Sequence, residues 1–555
     1  MADAFVAEGI DTVFGLFGDG NLTFMAAMDS HPGARVLQVR HEAAAVFMAA
    51  GYCRATGGPG LATVTAGPGL THTLTPLISA CRAGLPLILY AGDTPRAGVA
   101  LGGLQEFDHH AFAELAGATH VSVDDPRRAR SCASEAVRRA VARQRPVVLS
   151  VAEDCMESPS VADIGQLAAV ADFPRPRNVG PVAVRPPVPS PGDIAVAEEV
   201  FEALSSARAP MLVAGSGAVE AGVLPQTRAL AQAFGATLAT TFRAKGCFDD
   251  DPNNVGIVGP LAHALHQQVQ EHADLVVGIG ANLHGFGAFV DSLLPGRTIC
   301  LGAERYGGIP TSHLCGREIS IGAVTQLLSD KAKSADDARS RHARLSVPDR
   351  QQAILADFEE LPELFHPSLV DPRRLMLTID DLLPDDCVVV VGGGHFWSWP
   401  LMYLSKKKRD FVFPIEFGSI GMGLPTGIGI SAAGGTRDVV VIEGDGGTVA
   451  SVQELETASR HGLRLTVVVM NDATLGAEFH KLAARGLDAD VSSYAAIGFS
   501  DVAAAFGGSG TVVRSVVDLP AACTARKAAS SVYVIDVRVS REVTSRWYRR
   551  LVAQA

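Results

Sequence analysis

Long hydrophobic runs are missing from this sequence. No stretch of about 18 consecutive apolar residues occurs, so no membrane-spanning helix is expected. The opening MADAFVAEGID carries no basic segment and no small-residue cleavage pattern, so no signal peptide is expected. Cysteine is sparse, with nine residues scattered from Cys53 to Cys523 and no CxxC pair. That argues against a disulfide frame or a zinc site and fits the reduced thiols of a cytoplasmic protein. Positive charge is in deficit: 47 Lys and Arg stand against 59 Asp and Glu, for a net charge of -12. Nucleic acid needs a basic face and is not an expected partner. Small anionic substrates stay open, because a local cleft can oppose the global sign. HExxH and GxSxG are both absent, which removes the zinc-protease and serine-hydrolase readings. GSGAVE (215–220) and GIGANL (278–283) each lack the third glycine of a dinucleotide-binding turn, which leaves a nicotinamide site as an outside alternative.

What is present is an alternation of short apolar runs with Ala-rich helical stretches, in a 555-residue chain long enough for several domains. Within residues 1–165, TVFGLF, GLATVTA, PLILYAG and RPVVLSVA read as strands, with EAAAVFMAAGYCRA as a helix between two of them. Such alternation predicts α/β units with parallel sheets. Seven prolines between 174 and 191 make 166–192 an extended linker. A second unit follows over 193–330, with strands at APMLVAG, ATLATTF, ADLVVGIG and RTICLG. A polar stretch makes 331–367 a second linker, and a third unit runs over 368–540. Its strands are CVVVVGGG, FVFPIEF, DVVVIEGDG, LTVVVMND and SVYVIDVRV. Residues 541–555 form a tail that either covers a site or packs. The expectation is three doubly wound parallel-sheet domains, the first and third alike in pattern.

Gly-Asp-Gly occurs twice after an apolar run, in GLFGDGNL (15–22) and VIEGDGGT (441–448). In the second, 24 residues separate Gly446 from Asn471, enough for a helix and a strand. Neighbouring strand ends in a parallel sheet bring Asp445 and Asn471 to the carboxyl edge, where ligands bind in such folds. A carboxylate, an amide oxygen and a backbone carbonyl suit a hard cation such as Mg2+, completed by phosphate oxygens. Gly446 and Gly447 let backbone N–H groups approach a phosphate. A lone Gly-Asp-Gly is also compatible with an ordinary turn whose Asp caps a helix.

This spacing resembles the thiamine diphosphate fingerprint, and further segments are similar to the pyruvate decarboxylase, acetohydroxyacid synthase and benzaldehyde lyase superfamily. The resemblance implies Asp445 and Asn471 as side-chain metal ligands and Ala473 as a carbonyl ligand, with Gly444, Gly446 and Gly447 around the diphosphate. EFGSIGMGLPTGIG (416–429) matches the segment that bends the cofactor. There Ile420 is the stiff, β-branched wedge, and the Gly418 carbonyl and Ile420 N–H hold the pyrimidine. GGGHFWSWP (392–400) implies Gly394 and His395 at the diphosphate, with Phe396 and Trp397 lining the site. VLQVRHEAAAVFMAAGYCRATG (36–57) matches the pyrimidine-domain motif, which makes Glu42 the carboxyl that bonds the pyrimidine nitrogen and activates the cofactor. TVTAGPGLTH (63–72) matches TxGPGxxN, with His72 in place of the Asn.

The first Gly-Asp-Gly resembles the opening of the decarboxylases, which makes Asp19 a catalytic acid. His109 and His110, in LQEFDHHAFAEL, stand for a His-His pair that handles protons, and Glu478 for a last acidic residue. Alone, each of these also reads as a surface turn or loop residue. Segments GIVGPLAH, GANLHGFG and ICLGAERYGG depart from the flavin-binding pattern, so FAD is not expected. The implied activity is thiamine diphosphate- and Mg2+-dependent non-oxidative decarboxylation of a 2-oxo acid through an enamine. The alternative is a carboligase or lyase that forms or cleaves acyloins. The site is expected between subunits of a homodimer or homotetramer, and the partner is a small 2-oxo acid or aldehyde.

Overall fold

The computed structural model of the chain describes residues 1–95, 103–156, 188–281, 283, 297–302, 319–334, 345–363, 366–405 and 409–554. Most of the Pro-rich segment lies outside these residues. The second expected linker contains a helix, Arg350–Glu360, capped by Asp349. Its Asp357 bonds His263 at 2.7 Å.

Three parallel sheets form three α/β domains. The first contains β1 (Thr12–Gly15), β2 (Arg35–Gln38), β3 (Gly60–Val64), β4 (Leu87–Asp93), β5 (Thr119–Val123) and β6 (Val147–Ala152). The second contains β7 (Pro210–Ala214), β8 (Thr237–Thr240), β9 (Asn254–Ile257), β10 (Leu275–Ile279) and β11 (Arg297–Leu301). The third contains β12 (Cys387–Val391), β13 (Asp410–Val412), β14 (Asp438–Gly444), β15 (Thr466–Asn471), β16 (Ser509–Val513) and β17 (Tyr533–Arg538). Central strands such as β3, β6, β10 and β15 are buried along their whole length, as continuous Val, Ile and Leu runs require when helices cover both faces. β13 is shorter than FVFPIEF suggests. Pro414 cannot donate to the ladder, and the chain leaves the sheet after Val412.

The first sheet has the order β2-β1-β3-β4-β6-β5 and the third β13-β12-β14-β15-β17-β16. Counted within each domain, both read 2-1-3-4-6-5, so the likeness seen in the sequence is one of topology. The order reverses between the first and third strands of each domain, and that switch point leaves a crevice at their carboxyl ends. The two Gly-Asp-Gly turns are therefore not equivalent. Asp19 follows a first strand, β1, whereas Asp445 follows a third strand, β14. The counterpart of Asp445 in the first domain is the TAGPG turn after β3.

The first and third domains join through two helices, Glu42–Thr56 and Gly423–Ala432. A methyl group on Gly51 would fall on the Thr426 carbonyl, and one on Gly429 would fall on the Met48 carbonyl. The helices thus touch backbone to backbone and run antiparallel, 51 opposite 426 and 48 opposite 429. The buried residues of both join one core with strands from both domains. Among the described residues no helix is long and apolar enough to cross a membrane.

Candidate active site

At the switch point of the third domain, six separate segments line one cavity of about 270 Å³, four of them carrying sequence-predicted residues. They supply Gly394 and His395 after β12, Gly418 and Ile420 after β13, Gly444 to Gly447 after β14, and Glu478 beyond β15. Gly394, His395, Gly418, Ile420 and Gly444 to Gly447 thus line one cavity, whereas Asn471 and Ala473 do not line it. Ile420 is half exposed, in a turn whose Gly418 and Gly421 take φ of +76° and +74°. Those left-handed positions suit glycine alone at low cost.

Asp445 opens a short helix, Asp445–Ala450. Its Oδ1 accepts the Gly446 N–H at 2.9 Å and its Oδ2 the Ala473 N–H at 2.8 Å. Ala473 itself sits at φ 58°, a left-handed conformation for a residue with a side chain. Burial, and then the charge of Asp472, push Asp445 up to about 7. Burial pushes Asp472 up to about 6. Asn471 donates through Nδ2 to the Ile497 carbonyl and to Asp536, each at 2.9 Å. Its Oδ1 is buried with no partner. An orphaned amide oxygen, a carboxylate beside a second carboxylate, and an adjacent backbone carbonyl form the donor set a hard divalent cation needs. The residues present fit Mg2+ and, beyond it, a diphosphate.

His395 is held neutral: burial and then His480 lower it to about 3. Its ring packs against His480 and Tyr548, centroids 5.4 and 5.8 Å away. Phe396 lines the cavity, but Trp397 does not. Trp397 is buried edge-to-face between Phe242 and Trp547. The C-terminal helix Arg546–Gln554 packs beside the cavity wall, where the Tyr548 hydroxyl donates to the Ala477 carbonyl at 2.5 Å.

The first-domain residues lie beyond the carboxyl ends of that domain's strands. Asp19 is exposed in a short turn shaped by Asn21, whose Oδ1 accepts the Gly18 N–H. Gly20 lies so close to Gly92, before Asp93, that no side chain fits between them. Asp93 Oδ1 is 3.6 Å from His109 Nε2. His109 is buried, with Nδ1 2.8 Å from Ser150 Oγ, and burial lowers its pKa. The next residue, His110, is exposed, its ring 5.5 Å from that of His120, whose Nε2 lies 2.9 Å from the same Ser150 Oγ. His109 and His110 thus approach one cluster, the first through Ser150 and the second through His120. Phe107 and Phe112 meet edge-to-face at 6.1 Å, with Phe112 in the core. Glu42 opens its helix, and His72 Nδ1 is 3.0 Å from Glu42 Oε2.

None of these first-domain residues lines the third-domain cavity. The antiparallel helix pair explains why. Gly423, just after Ile420, lies at the Arg54 end of the Glu42 helix. Glu42 is 12 residues away, on the order of 18 Å at 1.5 Å per residue.

Sequence reasoning missed two buried acids, one lining the cavity and one packed against Gly447, which lines it. Asp472 follows Asn471 directly. Glu443 precedes the second Gly-Asp-Gly and is fully buried, and burial pushes it up to about 8. Its Oε2 accepts the Gly423 N–H at 3.0 Å, and side chains on Gly392, Gly423 or Gly447 would collide with its carboxyl. One charged residue closing an otherwise apolar strand was the available signal. In the central domain, most of GANLHGFG and ICLGAERYGG falls outside the described residues.

Two α/β domains of one topology, one holding a cation-ready acidic cavity at its switch point, define a cofactor-dependent enzyme class. The chain matches the description "Thiamine pyrophosphate enzyme" in three parts: N-terminal TPP binding domain over 1–112, central domain over 197–295 and C-terminal TPP binding domain over 391–537. A probable 2-ketoarginine decarboxylase of Pseudomonas aeruginosa is 30% identical over 484 residues, 84% of this chain and 80% of the relative. A sulfoacetaldehyde acetyltransferase of Alcaligenes xylosoxydans xylosoxydans is 26% identical, covering 97% of this chain and 92% of the relative. An acetolactate synthase large subunit of Parasynechococcus marenigrum is also 26% identical, over 85% of this chain and 75% of the relative. The solved structure of a Rhodococcus jostii thiamine diphosphate-dependent 4-hydroxybenzoylformate decarboxylase superposes with a TM-score of 0.72. It covers 97% of this chain and 98% of that one at 22% identity, which speaks for the fold alone. The chain belongs to the thiamine pyrophosphate enzyme family.

Proposed function

We propose that this protein is a thiamine diphosphate- and Mg2+-dependent decarboxylase of a 2-oxo acid. The convergence of four distant segments on one cavity, with the unpartnered Asn471 Oδ1 beside Asp445, carries the reading. Asp445, Asn471 and the Ala473 carbonyl would hold the metal. Gly394, His395 and Gly444 to Gly447 would hold the diphosphate, and Gly418 and Ile420 the pyrimidine. The bound cofactor would supply an electron sink next to the former carbonyl of the substrate.

The chain's own groups do the rest. Ile420, half exposed, lines the cavity and would support a bent cofactor there. Glu42 would exchange a proton with the pyrimidine nitrogen, with one carboxyl oxygen fixed by His72. Asp19, Asp93 and His109 form a polar edge able to move a proton towards a reacting carbon. Glu478 faces the cavity opening beside Lys481. Because Glu42 and the cavity lie at opposite ends of one helix pair, a second copy of the chain must bring its Glu42 to this cavity. Phe417, Ile420, Val449 and Leu475, all exposed around it, suit cover by that copy. A homodimer is the smallest complete enzyme, and a cytoplasmic location fits its free thiols.

The test is to supply Mg2+ and thiamine diphosphate, then pyruvate, larger apolar 2-oxo acids and a guanidino 2-oxo acid, each with and without an acceptor aldehyde. Carbon dioxide with free aldehyde as sole product supports the reading. A 2-hydroxyketone supports carboligation instead, and no turnover of any 2-oxo acid overturns both.

A further inference from the structure

Glu416 is a carboxylate that no cofactor or catalytic role above uses. It is 3% exposed, and three domains converge on it. Arg54, near the end of the Glu42 helix, donates to its Oε1 at 2.5 Å. Arg243 of the central domain donates to the same oxygen at 3.3 Å. Ser79 Oγ lies 3.5 Å from Oε2, and Arg82 bonds the Glu416 carbonyl at 3.3 Å while its guanidinium covers the Phe417 ring at 4.5 Å. Burial works against ionisation here, yet Arg54 and then Arg243 outweigh it and hold the carboxyl below its ordinary range.

The place of this hub in the chain gives it meaning. Glu416 stands two residues before Gly418 and four before Ile420. The stretch from 416 to 423 is a turn with two left-handed glycines and little backbone bonding of its own; the Gly418 N–H reaches the Ile415 carbonyl at 3.2 Å. Its far end is tied by the Gly423 N–H to Glu443. Its near end is tied by Glu416. Neighbouring Phe413 packs against Phe242, next to Arg243, with centroids 5.8 Å apart. A loop so poor in internal bonds takes its shape from its two anchors, and the wedge side chain lies between them.

We propose that Glu416 is a positioning residue for the pyrimidine half of the cofactor: by engaging Arg54 and Arg243 together it fixes the 417–422 turn, and with it Ile420, against the first and central domains. This inference rests on the cofactor reading above. It also gives the central domain a part in the site through Arg243, independent of any ligand of its own.

The diphosphate end is held by different residues, and that separates positioning from general loosening. Full-length wild type, Glu416→Gln and Arg243→Gln are titrated, in excess Mg2+, with thiamine diphosphate and separately with inorganic pyrophosphate, by calorimetry. The expected result is a thiamine diphosphate Kd raised about tenfold in Glu416→Gln and about threefold in Arg243→Gln, with the pyrophosphate Kd within about twofold of wild type. Arg243→Gln leaves the Arg54 pair intact and carries the test if Glu416→Gln does not fold. Equal weakening of both ligands, or of neither, overturns the proposal. A wild type that binds thiamine diphosphate no better than pyrophosphate overturns the cofactor reading and this inference with it.

Discussion

His72 Nδ1 stands 3.0 Å from Glu42 Oε2, so an imidazole fixes one oxygen of the proposed activating carboxyl. Among the described residues the other oxygen, Oε1, takes no hydrogen bond. The His41 ring stacks on His72 at 5.0 Å and caps the same helix by accepting the Ala43 N–H. A hydrogen bond to a charged group contributes about 1.5–3 kcal/mol. His72→Leu should therefore lower kcat about tenfold or more, since ~1.4 kcal/mol is a factor of ten in rate. His72→Asn, whose amide can donate to Oε2, should stay closer to wild type. Steady-state kinetics on the two variants decide this, and equal loss in both would show that His72 does not act through that bond.

The sequence made the middle of each sheet legible and its edges less so. β5, β9 and β16 each lie at a sheet edge, are only partly buried, and lack the continuous apolar run that betrays a central strand. That Asp445 and Asn471 lie at the ends of neighbouring strands was legible because the relation is local: one strand, one helix and the next strand fix its spacing. Glu416 was not, since Arg54 and Arg243 are 362 and 173 residues away along the chain. The resemblance that marks His109 and His110 as a His-His pair says nothing of how deeply each is set. At the start of a helix, successive side chains diverge, and only His109 turns inward to Ser150.

The contact between the first and third domains should be sensitive to single methyl groups. Gly429→Ala would place a methyl on the Met48 carbonyl, and neither helix backbone can yield without shifting its domain. Overpacking of this kind costs about 1–3 kcal/mol. A drop in Tm of roughly 3 to 10 °C is expected for a unit of this size. Scanning calorimetry of Gly429→Ala checks this. A melting profile matching wild type would mean that the helices have more room than their backbones show.

Glu454 should impose a pH dependence on folding. It is fully buried, accepts the Arg40 N–H and the Thr457 hydroxyl, and burial pushes it from 4.5 up to about 7. The folded state thus holds a proton that the unfolded chain has already lost above about 4.5. The stabilisation is fully present below that value and disappears as pH rises through about 7. Glu454→Gln, which stays neutral throughout, should flatten the fall in stability across this window. Denaturant midpoints at pH 5 and pH 8 for both proteins measure it, and parallel slopes would contradict the assignment.

Metal removal should release the cofactor. Asn471 Oδ1 is unpartnered, Asp445 lies beside Asp472, and the cavity-lining Lys481 is already 3.6 Å from Glu478, so a diphosphate bound there would need a metal cation to neutralise it. Chelation should abolish thiamine diphosphate binding, and Mg2+ should restore it. Asn471→Ala should raise the Mg2+ concentration needed by at least about tenfold, or ~1.4 kcal/mol. An unchanged Mg2+ requirement in that variant would move the metal away from Asn471.

Ile420 offers the cleanest separation of function from folding. Its side chain is 50% exposed and packs little of the core, so Ile420→Ala removes no large buried contact. Surface changes of that kind usually stay within about 0.5 kcal/mol of wild type in stability. The same side chain lines the cavity with Gly446 and Glu478, where it would support a bent cofactor. Binding through the diphosphate end does not touch it. Ile420→Ala should therefore keep its Tm and most of its affinity for thiamine diphosphate while kcat falls by about tenfold to a hundredfold, or ~1.4 to 2.7 kcal/mol in the barrier. Ile420→Leu, of equal volume but with the branch one carbon further out, should fall between the two. Thermal melts, cofactor titration and turnover on the same three proteins make the comparison. A loss of Tm in Ile420→Ala would show that the residue supports the fold after all, and full kcat with alanine there would remove it from the cofactor's path.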